Sequence, residues 1–104
     1  MKRVIEGKLY NTETAKVICE LKCSSYPGDF NFHKTSLYLT KKGNYFIEGW
    51  GGPASMWSVG CGQNSWAGGS GLRVISKEVA QHYAEQAELL PEEMLEAGFA
   101  VEEG

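Results

Sequence analysis

An α+β fold is predicted for this chain: an antiparallel β-sheet of four to six strands followed by two C-terminal α-helices, in one domain over residues 1–104. Three observations lead there. Apolar residues alternate with a period of two within residues 15–23 and 35–40 and follow a helical period from Lys77 to about Glu88. Residues 35–52 carry the pattern of a β-hairpin. Strand-like runs come first and helix-like runs last, which is the order of an antiparallel sheet covered on one face by helices.

The hairpin is the clearest element. Thr35, Leu37 and Leu39 alternate with Ser36, Tyr38 and Thr40, as on a strand with two unlike faces. Lys41-Lys42-Gly43-Asn44 supplies a turn, because Gly43 takes a positive φ without steric cost and Asn44 tolerates it. Tyr45 to Trp50 return with the aromatic and β-branched residues that suit a pleated surface.

From the N-terminus, Arg3 to Tyr10 read as a first strand with Gly7 as a bulge or kink. Asn11 to Thr14 form a turn, since their side chains bond back to the local backbone. Ala15 to Cys23 read as a second strand, with Val17, Cys19, Leu21 and Cys23 on one face and Lys16, Ile18, Glu20 and Lys22 on the other. Pro27-Gly28 breaks the chain, and Phe30 and Phe32 are expected to pin the loop back onto the core. His33, a lone histidine at a strand start, reads as structural or exposed.

Residues 51–71 hold seven glycines in twenty-one positions, with Trp57 and Trp66 among them. A long irregular loop is expected, with Met56 to Val59 as a short strand at most. Two tryptophans speak against a disordered linker, which is aromatic-poor. Leu72 to Ile75 resume a strand. Ser76 is a good N-cap for a helix from Lys77 to about Glu88, with Val79, Ala80, Tyr83, Ala84 and Ala87 on its inner stripe. Pro91 suits the first position of a second, short helix, and Glu92 and Glu93 complement its N-terminal dipole. Met94, Leu95 and Phe99 are expected to dock that helix, Gly98 to end it, and Val101 to Gly104 to fray.

At 42% hydrophobic and 22% charged residues the composition is that of an ordinary globular protein. No apolar run approaches the ~18–20 residues of a membrane span, and no basic segment followed by an apolar one opens the chain. A cytoplasmic location follows as the expectation. Cys19 and Cys23, four apart on one strand, would stand about 13 Å apart, too far for a disulfide. With Cys61 they read as free thiols.

No reaction chemistry is legible. Gly60-Cys61-Gly62 and Gly68-Gly69-Ser70-Gly71 lack the Gly-Lys-Ser/Thr of a phosphate loop. Nothing in the spacing joins Cys61 to His33 or His82 as a thiolate pair, and Cys19-x₃-Cys23 has no matching second half for zinc. We therefore expect no catalytic residues, no metal, no cofactor and no enzymatic activity.

Charge is the unusual feature. Residues 1–77 contain all ten Lys and Arg with five acids, a net +5, whereas residues 78–104 contain eight acids and no Lys or Arg, a net −8. Such separation suits docking on a basic partner. Tryptophans dominate interface energies, so Trp57 and Trp66 are the expected apolar anchors. The alternative is a small nucleic-acid-binding or regulatory protein using the basic strands, in which Lys2, Arg3, Lys8, Lys16, Lys22, Lys34, Lys41 and Lys42 interleave with tyrosines. The sequence pI of about 5.4 makes nucleic acid the less favoured partner.

Several stretches resemble a group of small proteins carried by phages and integrated mobile elements. They are Met1 to Ala15 (MKRVIEGKLYNTETA), Leu37 to Phe46, Gly49-x-Gly51-Gly52 and Ile75-Ser76-x-Glu78-x-Ala80. Some small proteins of such elements are anti-CRISPR inhibitors, and this chain is similar to those in size, in acidity and in lacking an enzyme motif. The resemblance implies a stoichiometric inhibitor, with a host protein as partner, that blocks a CRISPR-Cas effector by occluding its nucleic-acid site. Trp57, Trp66, Glu85, Glu88, Glu92, Glu93 and Glu96 are the expected contact residues.

Overall fold

The computed structural model of the protein describes residues 1–60 and 65–104. Ten elements follow one another: β1 (Lys2–Ile5), β2 (Lys8–Asn11), β3 (Lys16–Glu20), β4 (His33–Leu39), β5 (Tyr45–Gly51), β6 (Val59–Gly60), β7 (Trp66–Ala67), β8 (Gly69–Ile75), α1 (Lys77–Gln86) and α2 (Pro91–Glu96). The main sheet has four antiparallel strands in the order β3-β4-β5-β8, and β1-β2 and β6-β7 form separate two-stranded ribbons. The predicted α+β architecture is the one found.

The central hairpin is built as its sequence reads. Leu39 pairs with Tyr45 and His33 with Gly51. Gly43 has φ +88°, and the Thr40 N–H donates to the Asn44 carbonyl at 2.8 Å. Alternation then sorts β5. Tyr45 and Ile47 enter the core under the helices, and Phe46 enters a second core on the other side.

On the helix side, Leu37, Tyr45, Ile47 and Trp57 pack against Ala80, Ala84, Met94, Ala97 and Phe99. Tyr45 and Phe99 stack with centroids 5.2 Å apart, and the Tyr45 hydroxyl donates to the Ala97 carbonyl. On the opposite side, Tyr10 of the β1-β2 ribbon meets Phe46 edge-on at 5.6 Å, with Leu72 beside them. Arg3 holds the ribbon to the sheet by donating to the Leu72 carbonyl at 3.2 Å.

Three local readings are corrected. Arg3 to Tyr10 is a hairpin rather than one bulged strand: Glu6 (φ +51°) and Gly7 (φ +79°) turn the chain, so that Ile5 pairs with Lys8. Two successive positive φ values match the twist of the flanking strands, which a bulge does not need. The second strand ends at Glu20, and a register shift between Val17 and Cys19 resets its alternation. Val17 is thereby exposed, Ile18 packs on the helix-side core with Cys19, and Cys23 lies beyond the strand. The segment after β5 is partly regular, since β6 and β7 pair and Trp57 is packed. Cys61 and the Gly60-Cys61-Gly62 reading fall on residues 61–64, outside the described residues.

Both helices end in the same way. At α1 the Leu89 N–H donates to the Ala84 carbonyl and the Glu88 N–H to that of Glu85; at α2 Phe99 bonds Met94 and Gly98 bonds Leu95. These are Schellman closures, which need a left-handed residue just past the helix. Gly98 supplies it at φ +86°, whereas at α1 the position is Glu88 at φ +59°. This places the end of α1 at Gln86, two residues short of the expected limit. Ser76 caps α1 by accepting the Val79 N–H at 3.2 Å, and Pro91 opens α2 as predicted. Met94 and Phe99 dock α2, but Leu95 faces solvent.

Candidate partner-binding surface

The charge split becomes a partial separation across the sheet, with Lys16 and Lys22 left beside the helix carboxylates. The helices, with the acidic residues of the C-terminal part, cover one face; the β1-β2 ribbon, with Lys2, Arg3 and Lys8, covers the other. Glu85 and Glu88 stand at the end of α1, and Glu92, Glu93 and Glu96 lie along α2; all five are exposed.

These carboxylates do little for the fold. Among the described residues one ion pair occurs, Lys16 to Glu96 at 3.9 Å, and both side chains are more than half exposed, so water and salt screen it. Glu85, Glu88 and Glu96 sit at helix C-termini, where the macrodipole is already negative, and neither helix has a basic residue in its last turn. Glu93 is the exception, because its Oε1 accepts the Leu90 N–H at 3.0 Å and so satisfies a free donor at the start of α2. Its charge also reaches Cys19, whose thiol is pushed above its ordinary pKa first by burial and then by Glu93. A raised pKa leaves little thiolate at neutral pH, so Cys19 is a weak nucleophile.

Apolar side chains lie among the acids. An open groove of about 520 Å³ runs between the end of α1 and the C-terminal segment, walled by Leu89, Pro91, Met94 and Val101 with Glu85 and Glu102 at its rim. Leu90 and Leu95 are also exposed, at 61% and 60%. Leu95, expected to dock α2 together with Met94 and Phe99, stays outside. A helix of six residues has room for one inward row, which Met94 fills.

The two tryptophans part company. Trp57 is 3% exposed and belongs to the core, so it is withdrawn as a surface anchor. Its ring lies against Gly71, where an added Cβ would stand 3.1 Å from it, and the Arg73 guanidinium carbon lies over the ring 4.8 Å from the centroid. Trp66 is exposed at 63%. It precedes the Gly51–Gly69 end of the sheet, whereas α2 packs on Tyr45 at the other end, so Trp66 and the α2 carboxylates are not brought together.

Other aromatics are exposed as well. Phe30 faces solvent instead of pinning its loop, and it is its carbonyl that holds the chain, by accepting the Ala54 N–H at 2.8 Å. Trp50 projects from the side of β5 opposite Tyr45 and Ile47 and packs on Phe32 at 5.5 Å. Strand alternation was the available signal, since Gly49 and Gly51 on either side of Trp50 are buried.

Among the described residues no three His, Cys, Asp or Glu side chains gather as a metal site requires, and no helix is long and apolar enough to cross a membrane. Compared with family models, curated proteins and solved structures, the chain returns no match.

Proposed function

We propose that this protein is a stoichiometric protein-binding inhibitor whose helical end docks on the lysine- and arginine-rich nucleic-acid site of a host protein. The observation that carries the reading is the set of five exposed carboxylates on α1 and α2, of which one alone meets a cation among the described residues. Three of them, Glu85, Glu88 and Glu96, stand at the unfavourable ends of helices, where charge costs stability, and a basic partner is where they gain energy. Exposed Leu90, Leu95 and Val101 beside them add the apolar contact that a specific complex needs. The resemblance of residues 1–15 and 37–46 to small proteins of phages and mobile elements narrows the partner to a CRISPR-Cas effector, blocked by occlusion.

The test is a titration of guide-loaded CRISPR effector complexes with the purified protein, reading target-DNA binding. A sharp one-to-one loss of DNA binding is expected. Glu85→Lys/Glu92→Lys is the variant of choice, because Glu93 caps α2 and its loss would perturb the fold. That double reversal should weaken inhibition at least about tenfold, given the strength of desolvated charge pairs at interfaces. Failure to bind effectors, or inhibition by the variant equal to wild type, rejects the proposal.

A further inference from the structure

The opposite side of the molecule holds a second, chemically different cleft. It opens between the β1-β2 hairpin and the Thr40–Asn44 turn and encloses about 340 Å³. Lys8 stands on one wall and Lys41 and Lys42 on the other, with Asn11, Thr14, Thr40 and Asn44 between them. No Asp or Glu lines it, and none of the three lysines takes part in the ion pair found among the described residues.

The polar lining is biased toward donors. Asn11 Oδ1 is already occupied by the Glu13 N–H at 2.9 Å, and Thr40 Oγ1 accepts the Asn44 N–H at 3.0 Å. The donors still available are the side-chain NH₂ groups of Asn11 and Asn44, the hydroxyl proton of Thr40 and three ammonium groups. Tyr10, buried against Phe46, gives the cleft a fixed wall. A concave site that offers three cations on two walls and no carboxylate suits an acceptor-rich anion.

We propose that this cleft binds a phosphate-bearing anion, with the ammonium groups of Lys8, Lys41 and Lys42 closing on its phosphate oxygens from both walls. The volume lies in the range of small-ligand sites and suits the polyphosphate of one nucleotide. Lysine serves phosphate as a mobile point charge, which an open cleft accommodates better than a rigid fork. The site shares no residue with the acidic helical surface, so it stands whether or not that surface binds an effector.

Amide-resolved NMR titrations of the full chain with ADP, with pyrophosphate and with a 5′-phosphorylated oligothymidylate test this. Saturable shifts confined to residues 7–15 and 40–44 are expected. Lys41→Gln/Lys42→Gln should weaken binding about tenfold and Lys8→Gln about threefold, the range of partly exposed charge contacts. Lys34→Gln, outside the cleft, should leave it unchanged. All three lysines are exposed, so unshifted amides elsewhere in the spectrum verify that each variant is folded. Tighter binding of ADP identifies a free nucleotide as the source of the phosphate, and tighter binding of the oligonucleotide identifies phosphodiesters; either supports the site. Shifts spread over all lysines, absence of saturation with all three probes, or wild-type affinity in Lys41→Gln/Lys42→Gln would overturn it.

Discussion

The indole N–H of Trp57 donates to the hydroxyl of Thr35 at 2.7 Å, and both residues are buried. The same oxygen lies 2.9 Å from His33 Nδ1 and 3.8 Å from the Met56 sulfur, so its single proton has an acceptor on either side. This bond ties the glycine-rich segment after β5 to the middle of the sheet. Among the described residues Thr35 is the one buried side chain that is neither apolar nor aromatic, and the Trp57 indole is its buried partner.

Replacing Thr35 by valine keeps the shape and removes the acceptor. The buried indole N–H is then unsatisfied, and we expect a loss of about 1–3 kcal/mol in urea unfolding. The double variant Thr35→Val/Trp57→Phe should cost less than the sum of the single changes, because phenylalanine has no N–H to strand. Additive costs would show that the bond is not made.

Trp57 fits because glycine lies beneath it. An added Cβ at Gly71 would meet the ring at 3.1 Å, which a small tilt relieves, whereas at Gly49 it would stand 2.3 Å from the Lys34 carbonyl oxygen in the next strand. Backbone cannot yield as a ring can. Gly49→Ala is therefore expected to destabilise more than Gly71→Ala, the first by at least about 3 kcal/mol and the second by about 1. Thermal unfolding of the two proteins gives the ranking, and equal effects would contradict it.

The two Schellman closures predict opposite responses. Glu88 holds a left-handed conformation that costs a non-glycine residue energy, and its charge opposes the α1 dipole. Glu88→Gly should stabilise the protein by about 1 kcal/mol. Gly98→Ala should destabilise it, since φ is +86° there and a Cβ would also stand 2.9 Å from the Tyr45 hydroxyl. A lower unfolding temperature for Glu88→Gly would count against this account of the helix end.

Burial raises the pKa of Tyr45 above the ordinary 10.0. Above pH 10 the unfolded chain releases this proton while the folded protein still holds it. The unfolded state then binds fewer protons, so stability falls as pH rises from about 10 toward the folded value. Tyr38, raised by burial and then by Glu48, adds to the same loss, and Cys19 begins it from 9.0. Tyr45→Phe should be less stable at pH 7, having lost its bond to Ala97, yet show a shallower decline in alkaline urea titrations. An unchanged alkaline slope would remove Tyr45 as a cause.

Local chemistry made much of this legible. The 35–52 hairpin, the Ser76 cap, Pro91 at the start of α2 and Gly98 at its end follow from neighbours within a few residues, as does the acidity of the last twenty-seven. Tertiary packing decided the rest, because burial depends on contacts between residues distant in the chain. It took Trp57 into the core through Thr35 and Gly71, left Leu95 outside when Met94 filled the inner row, and set Trp66 at the end of the sheet away from α2. It also gathered Lys8 with Lys41 and Lys42 around one cleft, which no spacing in the sequence foretells, since the β1-β2 ribbon reaches that turn only by laying Tyr10 on Phe46.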